Sequence, residues 1–215
     1  MDQSLLLIIN REWTNSFLDR VMAISSSLHF WMPLLVLIGI LVLIFGGFRG
    51  RTFLLTFALC ILVVDGLCVN FGKRIFPRPR PPEVLTEIRE VDLVGKKPAF
   101  IAGFLPLKIE YSAPGVIATG GRSFPSGHTA NNFAIAMLLF VFYRRWGWLY
   151  FIPATIVAYS RIYVGAHWPS DVLVSAFLGS AVSLLIIITL QAFWKNFGKR
   201  FLPSLYSAHP HLISP

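Results

Sequence analysis

The sequence predicts an all-α integral membrane protein, a bundle of five to six helices with an amphipathic helix at its N-terminus. Of its 215 residues, 55% are hydrophobic and only 13% are charged, whereas soluble domains carry roughly 25% charged residues. The mean hydropathy is +0.67, and several apolar stretches approach the roughly 20 residues that a membrane-spanning helix needs. We therefore expect one membrane-embedded domain covering residues 1–215.

Five stretches are expected to span the bilayer. They are Phe30–Phe48, Thr52–Phe71, Thr129–Tyr143, Trp146–Tyr163 and Asp171–Trp194. The first stretch of the chain, Ser4–Ser26, is interrupted by polar residues, which favours an amphipathic helix at the membrane interface over a sixth span. No cleaved signal peptide is expected, because no basic start precedes a full apolar stretch.

Positive charge distinguishes the two faces of the predicted bundle. The short connections and the tail on one face carry Arg49, Arg51, Arg144, Arg145, Lys195, Lys199 and Arg200, which the positive-inside rule assigns to the cytoplasm. The opposite face receives a long loop, residues 82–122, and is expected to be the periplasmic face of a bacterial inner membrane. Residues 204–215 are expected to form a loose tail. The net charge of +9 fits lipid headgroups or a phosphorylated substrate better than nucleic acid, because no soluble basic module stands apart from the apolar runs.

Polar residues on the outer face form three clusters, each where a span begins or ends. The first is Lys73-x6-Arg80-Pro81, which supplies a point charge and a planar donor fork for phosphate oxygens. The second is Pro125-Ser126-Gly127-His128, at the start of the third span. A helix start offers unpaired backbone N–H groups to an anion, and His128 can donate a proton to a departing oxygen.

The third cluster is Ser160-Arg161-x5-His167-x3-Asp171. His167 and Asp171 are four residues apart, so on a helical turn the carboxylate is expected to reach the imidazole, fix its tautomer and leave the other nitrogen free to attack. Each cluster alone is compatible with interfacial anchoring, a helix cap or a structural ion pair. Together they favour a phosphate site, because polar groups at membrane depth are costly and usually functional.

The three clusters match, without a gap or substitution, the signature Lys-x6-Arg-Pro, Pro-Ser-Gly-His and Ser-Arg-x5-His-x3-Asp. The sequence therefore resembles the phosphatidic acid phosphatase type 2 superfamily, which also includes vanadium haloperoxidases and bacterial lipid phosphatases. This resemblance covers Lys73 to Asp171. It implies a six-helix bundle, a phosphorylated membrane lipid as substrate, and neither a metal nor another cofactor.

The resemblance also implies individual roles. His167 would attack phosphorus and form a phosphohistidine, Asp171 would orient His167, and His128 would protonate the leaving oxygen. The phosphate oxygens would be held by Lys73, Arg80, Ser126, Gly127 and Arg161. The implied activity is metal-independent hydrolysis of a phosphate or diphosphate group from a membrane lipid at the periplasmic face.

The motifs recognise phosphate and leave its lipid carrier open. The outer loop carries five further cations, which favour a multiply phosphorylated lipid: Arg89, Lys96, Lys97, Lys108 and Arg122. Lipid A 1-phosphate and undecaprenyl diphosphate are therefore expected ahead of phosphatidylglycerol phosphate and phosphatidic acid. Three alternatives stay open: a zinc site built from His128, His167 and Asp171, which the nearby cations disfavour, a haloperoxidase, and a non-catalytic phospholipid-binding or transport protein.

Overall fold

The protein is described here from a computed structural model, which covers residues 1–95, 99–113 and 122–213. The first half of the chain is a series of helices. These are α1 (Asp2–Leu7), a π-helical turn (Ile8–Glu12), α2 (Ser16–Ser26), α3 (Leu28–Phe45), α4 (Gly47–Ile61), a π-helical stretch (Leu62–Val69) and α5 (Asn70–Ile75). The last three form one nearly continuous helix of 29 residues.

After α5, the chain forms a short helix, a small hairpin and then a second series of helices. Its elements are α6 (Pro81–Val84), β1 (Arg89–Leu93), a 3-10 helix (Ala99–Phe104), β2 (Leu107–Tyr111), α7 (Gly127–Phe142), α8 (Arg144–Gly147), a 3-10 turn (Trp148–Tyr150), α9 (Phe151–Tyr163), α10 (Pro169–Phe201) and α11 (Pro203–Ala208). The two strands pair antiparallel, with Val91 opposite Ile109. The sequence does not predict this hairpin.

The predicted helical membrane bundle is confirmed. Three helices are long and apolar enough to cross a bilayer: α3, the helix from Gly47 to Ile75, and α10. The shorter apolar helix α7 lies in the middle of the bundle, where it packs against α4, α9 and α10. Small residues allow this close packing, since a Cβ atom at Gly179 of α10 would clash with the backbone carbonyl of Ala130 in α7.

The N-terminal helices lie at the end of the bundle that carries the hairpin. The buried side chain of Asn10 donates to the carbonyls of Arg89 (2.9 Å) and Tyr163 (2.7 Å). Asp19 of α2 forms an ion pair of 2.8 Å with Arg89. Helix α1 packs against α10 and α2 packs against α9, so both N-terminal helices belong to the bundle.

The C-terminal segment differs from the loose tail expected of it. It turns back after α11, and the indole N–H of Trp194 donates to the carbonyl of His209 (2.8 Å). The ring of His209 stacks on Phe48, with 4.1 Å between centroids. Contacts with other parts of the chain cannot be predicted from a short segment alone, which is why the sequence predicts a loose tail.

Candidate active site

Four helix ends meet on one side of the bundle and carry the predicted site residues. Lys73 lies in the last turn of α5, and His128 lies in the first turn of α7. Arg161 lies in the last turn of α9, and His167 lies in the turn between α9 and α10. Arg80 precedes α6 on the segment that follows α5. Residues more than ninety positions apart are thereby brought to the same end of the molecule.

Three positive charges surround the two histidines. The charges of Arg161, Lys73 and Arg80 act on the imidazole of His128, and the same three act on the imidazole of His167. The five residues are therefore close enough to influence one another and make up the candidate site, whose positive charge would suit a phosphate group.

Both arginines retain hydrogen-bonding capacity in this site. The Nε atoms of Arg80 and Arg161 are buried and have no hydrogen-bond partner among the described residues. Arg161 uses one terminal nitrogen, Nη1, to donate to the hydroxyl of Ser26. Buried donors are normally paired, because an unmade hydrogen bond costs free energy. A bound oxyanion would supply the missing acceptors.

The tautomer of His167 follows from its surroundings. His167 is only 3% exposed, and its Nδ1 atom lies 2.6 Å from the backbone carbonyl oxygen of Ser123. A carbonyl can only accept a hydrogen bond, so Nδ1 carries the proton. In the neutral ring Nε2 then holds a free lone pair, which is the state a nucleophile needs.

The pKa of His167 is well below its ordinary value of 6.5, first because the ring is buried and then because Arg161 and Arg80 disfavour a further positive charge. The ring therefore stays neutral as the pH falls through 6.5. We expect no loss of kcat/KM between neutral pH and pH 6, and a fall only when the pH approaches the lowered pKa of His167. The measurement is a profile of kcat/KM from acidic to neutral pH, corrected for the substrate phosphate, which titrates near about 6. An acidic limb at or above 6.5 would argue against this assignment.

Asp171 lies close to His167 but does not make the contact that the spacing predicts. The reason is that α10 begins at Pro169, so His167 precedes the helix and the two residues do not share a helical turn. The carboxylate instead accepts hydrogen bonds from the Ser123 hydroxyl (2.5 Å), from Nη1 of Arg78 (2.5 Å) and from the backbone N–H of Trp168 (3.3 Å). Within the described residues, Asp171 is therefore connected to His167 through Ser123.

The start of α7 also differs in detail from the expected anion site. The backbone N–H of Ser126 donates to the hydroxyl of Ser175 (2.8 Å), and the Ser126 hydroxyl pairs with that of Thr129 (3.0 Å). Ser126 is thus engaged by the protein. The first backbone hydrogen bond of the helix runs from the N–H of Ala130 to the carbonyl of Ser126, so the N–H groups that remain for an anion follow Ser126.

At the start of α7, the absence of a side chain at Gly127 allows another residue to approach the backbone closely. A Cβ atom there would lie 3.0 Å from a carboxylate oxygen of Asp65, in the π-helical stretch before α5. The missing side chain therefore allows Asp65 and the α7 backbone to approach one another.

The comparisons with known proteins agree with this geometry. A model described as the PAP2 superfamily matches residues 52–196. The chain belongs to this superfamily. The resemblance that the three motifs indicate is thereby confirmed.

This PAP2 protein is similar to several named relatives. It is 28% identical to lipid A 4'-phosphatase of Bacteroides thetaiotaomicron, over 83% of this chain and 72% of that one. It is 42% identical to undecaprenyl-diphosphatase of Sulfolobus acidocaldarius, but only over 30% of this chain and 32% of the relative. The crystal structure of LpxE from Aquifex aeolicus superposes with a TM-score of 0.56 at 26% identity, covering 86% of this chain and 93% of LpxE. This chain spans about a third of the length of the curated relatives that it matches above 40% identity.

Two of the three described cations of the outer loop are engaged elsewhere in this PAP2 protein. Arg89 is paired with Asp19, and Lys108 lies 2.9 Å from Glu110. Lys96 and Lys97 fall outside the described residues. Arg122 is exposed, and its charge acts on Lys73. Among the described cations of this loop, Arg122 therefore remains as support for a second phosphate.

The zinc alternative has no geometric support within residues 1–95, 99–113 and 122–213. No three His, Cys, Asp or Glu side chains in those ranges come together as a metal-binding group.

Three residues at the site cannot be predicted from the sequence: Asp2, Arg78 and Ser123. Ser123 acts on His167 through its backbone carbonyl, which carries no residue-type signal. Arg78 is visible only as one more cation beside Arg80, and Asp2 lies far away along the chain. Only the folded structure reveals their connection.

Proposed function

We propose that this PAP2 protein hydrolyses a phosphate or diphosphate group from a membrane lipid through a phosphohistidine on His167. The observation that carries the proposal is the bond from His167 Nδ1 to the Ser123 carbonyl, which leaves Nε2 unprotonated among three cations. Fixed positive charge around a nucleophile is the arrangement that phosphoryl transfer requires.

In the first step, the Nε2 lone pair of His167 attacks phosphorus, and the bond from phosphorus to the lipid oxygen breaks. The negative charge of the bound phosphate group favours a proton on His128 against the neighbouring cations, and His128 gives that proton to the departing lipid oxygen. Lys73, Arg80 and Arg161 balance the charge on the three remaining phosphoryl oxygens. The backbone N–H groups at the start of α7 add a favourable helix dipole.

In the second step, water attacks the phosphorus atom of the phosphohistidine. His128, now neutral, accepts a proton from that water, and the bond between Nε2 and phosphorus breaks. Inorganic phosphate leaves, His167 regains its lone pair, and His128 regains its proton. The two steps together consume one water molecule and release one lipid alcohol, or a lipid monophosphate when the substrate is a diphosphate.

Charge at the opposite end of the bundle supports a periplasmic site. Arg49, near the start of α4, donates to the carbonyl of Phe142 at the end of α7. The basic connections around Arg49 and Arg144 therefore share the end that lies away from His128 and His167. Because short basic connections face the cytoplasm, we place the site at the outer surface of a bacterial inner membrane.

Two lipid classes are the leading candidates for the substrate. Similarity to proteins named lipid A 4'-phosphatase and undecaprenyl-diphosphatase supports a phosphorylated lipid A or undecaprenyl diphosphate. The exposed Arg122 beside Lys73 can meet additional negative charge on either lipid. We rank lipid A 1-phosphate and undecaprenyl diphosphate ahead of phosphatidylglycerol phosphate and phosphatidic acid.

Release of inorganic phosphate from a lipid panel tests the proposed function. The purified protein, in detergent with a metal chelator, is incubated with lipid A carrying a 1- or a 4'-phosphate, undecaprenyl diphosphate, phosphatidylglycerol phosphate and phosphatidic acid. We expect release in the chelator, with the highest kcat/KM on a lipid A phosphate or on undecaprenyl diphosphate. Lipid binding without release would favour the non-catalytic alternative, and activity that returns only with added zinc would favour the metal site.

A further inference from the structure

Arg78 links three distant segments of the chain beside the site. It lies between Lys73 and Arg80, yet it occupies neither position of the first motif. Its Nη1 donates to Asp171 (2.5 Å) and to the Ser170 hydroxyl (2.8 Å), at the start of α10. Its Nη2 donates to Asp2 of α1 (2.6 Å). The fork geometry of a guanidinium makes these simultaneous contacts possible.

Asp2 holds Arg78 and the start of α10 in register. One oxygen of Asp2 accepts from the backbone N–H of Ser170 (2.9 Å), and the other accepts from the Ser170 hydroxyl (2.6 Å) and from Arg78. Arg78 also lies over the ring of Trp168, 5.1 Å from its centroid. The guanidinium is thus fixed on several sides.

The contacts continue from Arg78 to the nucleophile. The second oxygen of Asp171 accepts from the Ser123 hydroxyl (2.5 Å), and the backbone N–H of Ser123 donates to the carbonyl of Arg78 (2.8 Å). The carbonyl of Ser123 then holds His167 Nδ1 at 2.6 Å. Ser123 is therefore fixed through its amide, its hydroxyl and its carbonyl, and two of these three contacts lead to Arg78 or its partner Asp171.

Charge makes Arg78 the partner on which this arrangement depends. The side chain of Asp171 is completely buried, with an exposed fraction of 0%. A buried carboxylate is strongly destabilised unless it is paired and hydrogen-bonded. Arg78 forms the ion pair with Asp171, so loss of the guanidinium would disturb Asp171, then Ser123, and finally the orientation of His167.

We propose that Arg78, anchored by Asp2, is a positioning residue that orients His167 through Asp171 and Ser123 without touching the phosphate. This inference rests on the proposed function. Arg78 and Ser123 would then orient His167, a role that the spacing in the sequence predicts for a direct contact between Asp171 and His167. Because Lys73, Arg80 and Arg161 remain in place, the loss of Arg78 should affect turnover more than substrate binding.

The test compares Arg78→Gln with Arg74→Gln, a matched control four residues earlier whose side chain is exposed. Arg78→Gln should lower kcat about 10²-fold, as small displacements of reacting groups do, and leave KM within about twofold. Arg78→Lys, which keeps the charge but not the fork, should recover part of kcat. Arg74→Gln should match the wild type. Equal losses in kcat from Arg78→Gln and Arg74→Gln, or a rise in KM that accounts for the whole loss, would overturn the inference.

A second comparison keeps the test valid if Arg78→Gln does not fold. Asp2→Asn leaves Arg78 present but weakens its anchor and should lower kcat about tenfold, the effect of one good hydrogen bond. Ser123→Ala removes the hydroxyl contact to Asp171 and keeps the carbonyl that holds His167. If Asp2 and Ser123 act through the same chain of contacts, the double variant Asp2→Asn/Ser123→Ala should lose little more kcat than the more impaired of the two single variants. Fully additive losses would contradict the inference.

Failure of this inference and failure of the proposed function give different results. If His167→Ala retains activity, the phosphohistidine mechanism is wrong. If His167→Ala is inactive while Asp2→Asn and Arg78→Gln behave like Arg74→Gln, only the positioning role of Arg78 is wrong.

Discussion

His167→Ala is expected to lower phosphate release by about 10⁴-fold or more, because the substitution removes the atom that forms the bond to phosphorus. The structure gives the reason for assigning this atom. The ring is 3% exposed and its Nδ1 is held by the Ser123 carbonyl, so Nε2 is the nitrogen that can attack. The measurement is the initial rate of phosphate release from the best lipid of the panel.

His29→Ala is the matched control for this substitution. His29 is exposed at the start of α3, and we expect its replacement to leave the rate unchanged. Both variants should elute as the wild type does in detergent, because removing a side chain that has one hydrogen bond to a loop carbonyl leaves the helices packed. A rate for His167→Ala within tenfold of the wild type would exclude His167 as the nucleophile.

His128→Ala is expected to lower kcat on a lipid phosphate monoester about 10³-fold, the usual contribution of a general acid. A lipid alkoxide is a poor leaving group and needs the proton that His128 supplies. A weakly basic leaving group such as p-nitrophenolate does not. We therefore expect His128→Ala to release one equivalent of p-nitrophenol from p-nitrophenyl phosphate in a rapid burst. Slow turnover should follow, because hydrolysis of the phosphohistidine needs His128 to accept a proton from water.

The contrast between the two substrates separates a catalytic role from a structural one. A misfolded site would slow both substrates alike and give no burst. A general acid should matter in proportion to the basicity of the leaving group. If His128→Ala reacts slowly and without a burst on p-nitrophenyl phosphate, His128 is not the proton donor in the first step.

Much of this architecture can be predicted from the sequence. Three of the five apolar stretches become helices long enough to cross a bilayer, since lipid requires each span to satisfy its own backbone hydrogen bonds. The other two, Thr129–Tyr143 and Trp146–Tyr163, become the shorter helices α7 and α9. The motifs locate Lys73, Arg80, His128, Arg161 and His167, since the chemistry of a phosphate site depends on those residue types. Their placement at helix ends follows from where the apolar runs stop.

The internal connections of the site could not be predicted in the same way. A spacing of four residues suggests a shared helical turn, but Pro169 begins α10 after His167 and removes that register. The true partner of His167 is a backbone carbonyl, which any residue could provide. The pairing of Arg89 with Asp19 depends on a hairpin that the sequence does not predict.

Trapping a covalent bond between His167 Nε2 and phosphorus is the decisive test of the proposed mechanism. The His128→Ala variant is mixed with radiolabelled p-nitrophenyl phosphate, quenched in alkali, which preserves phosphohistidine, and digested for peptide sequencing. We expect close to one equivalent of label per chain, located on His167, and none when His167→Ala is added to the same variant. Label that persists in the variant without His167, or a burst of p-nitrophenol with no labelled protein, would rule out a phosphohistidine on His167.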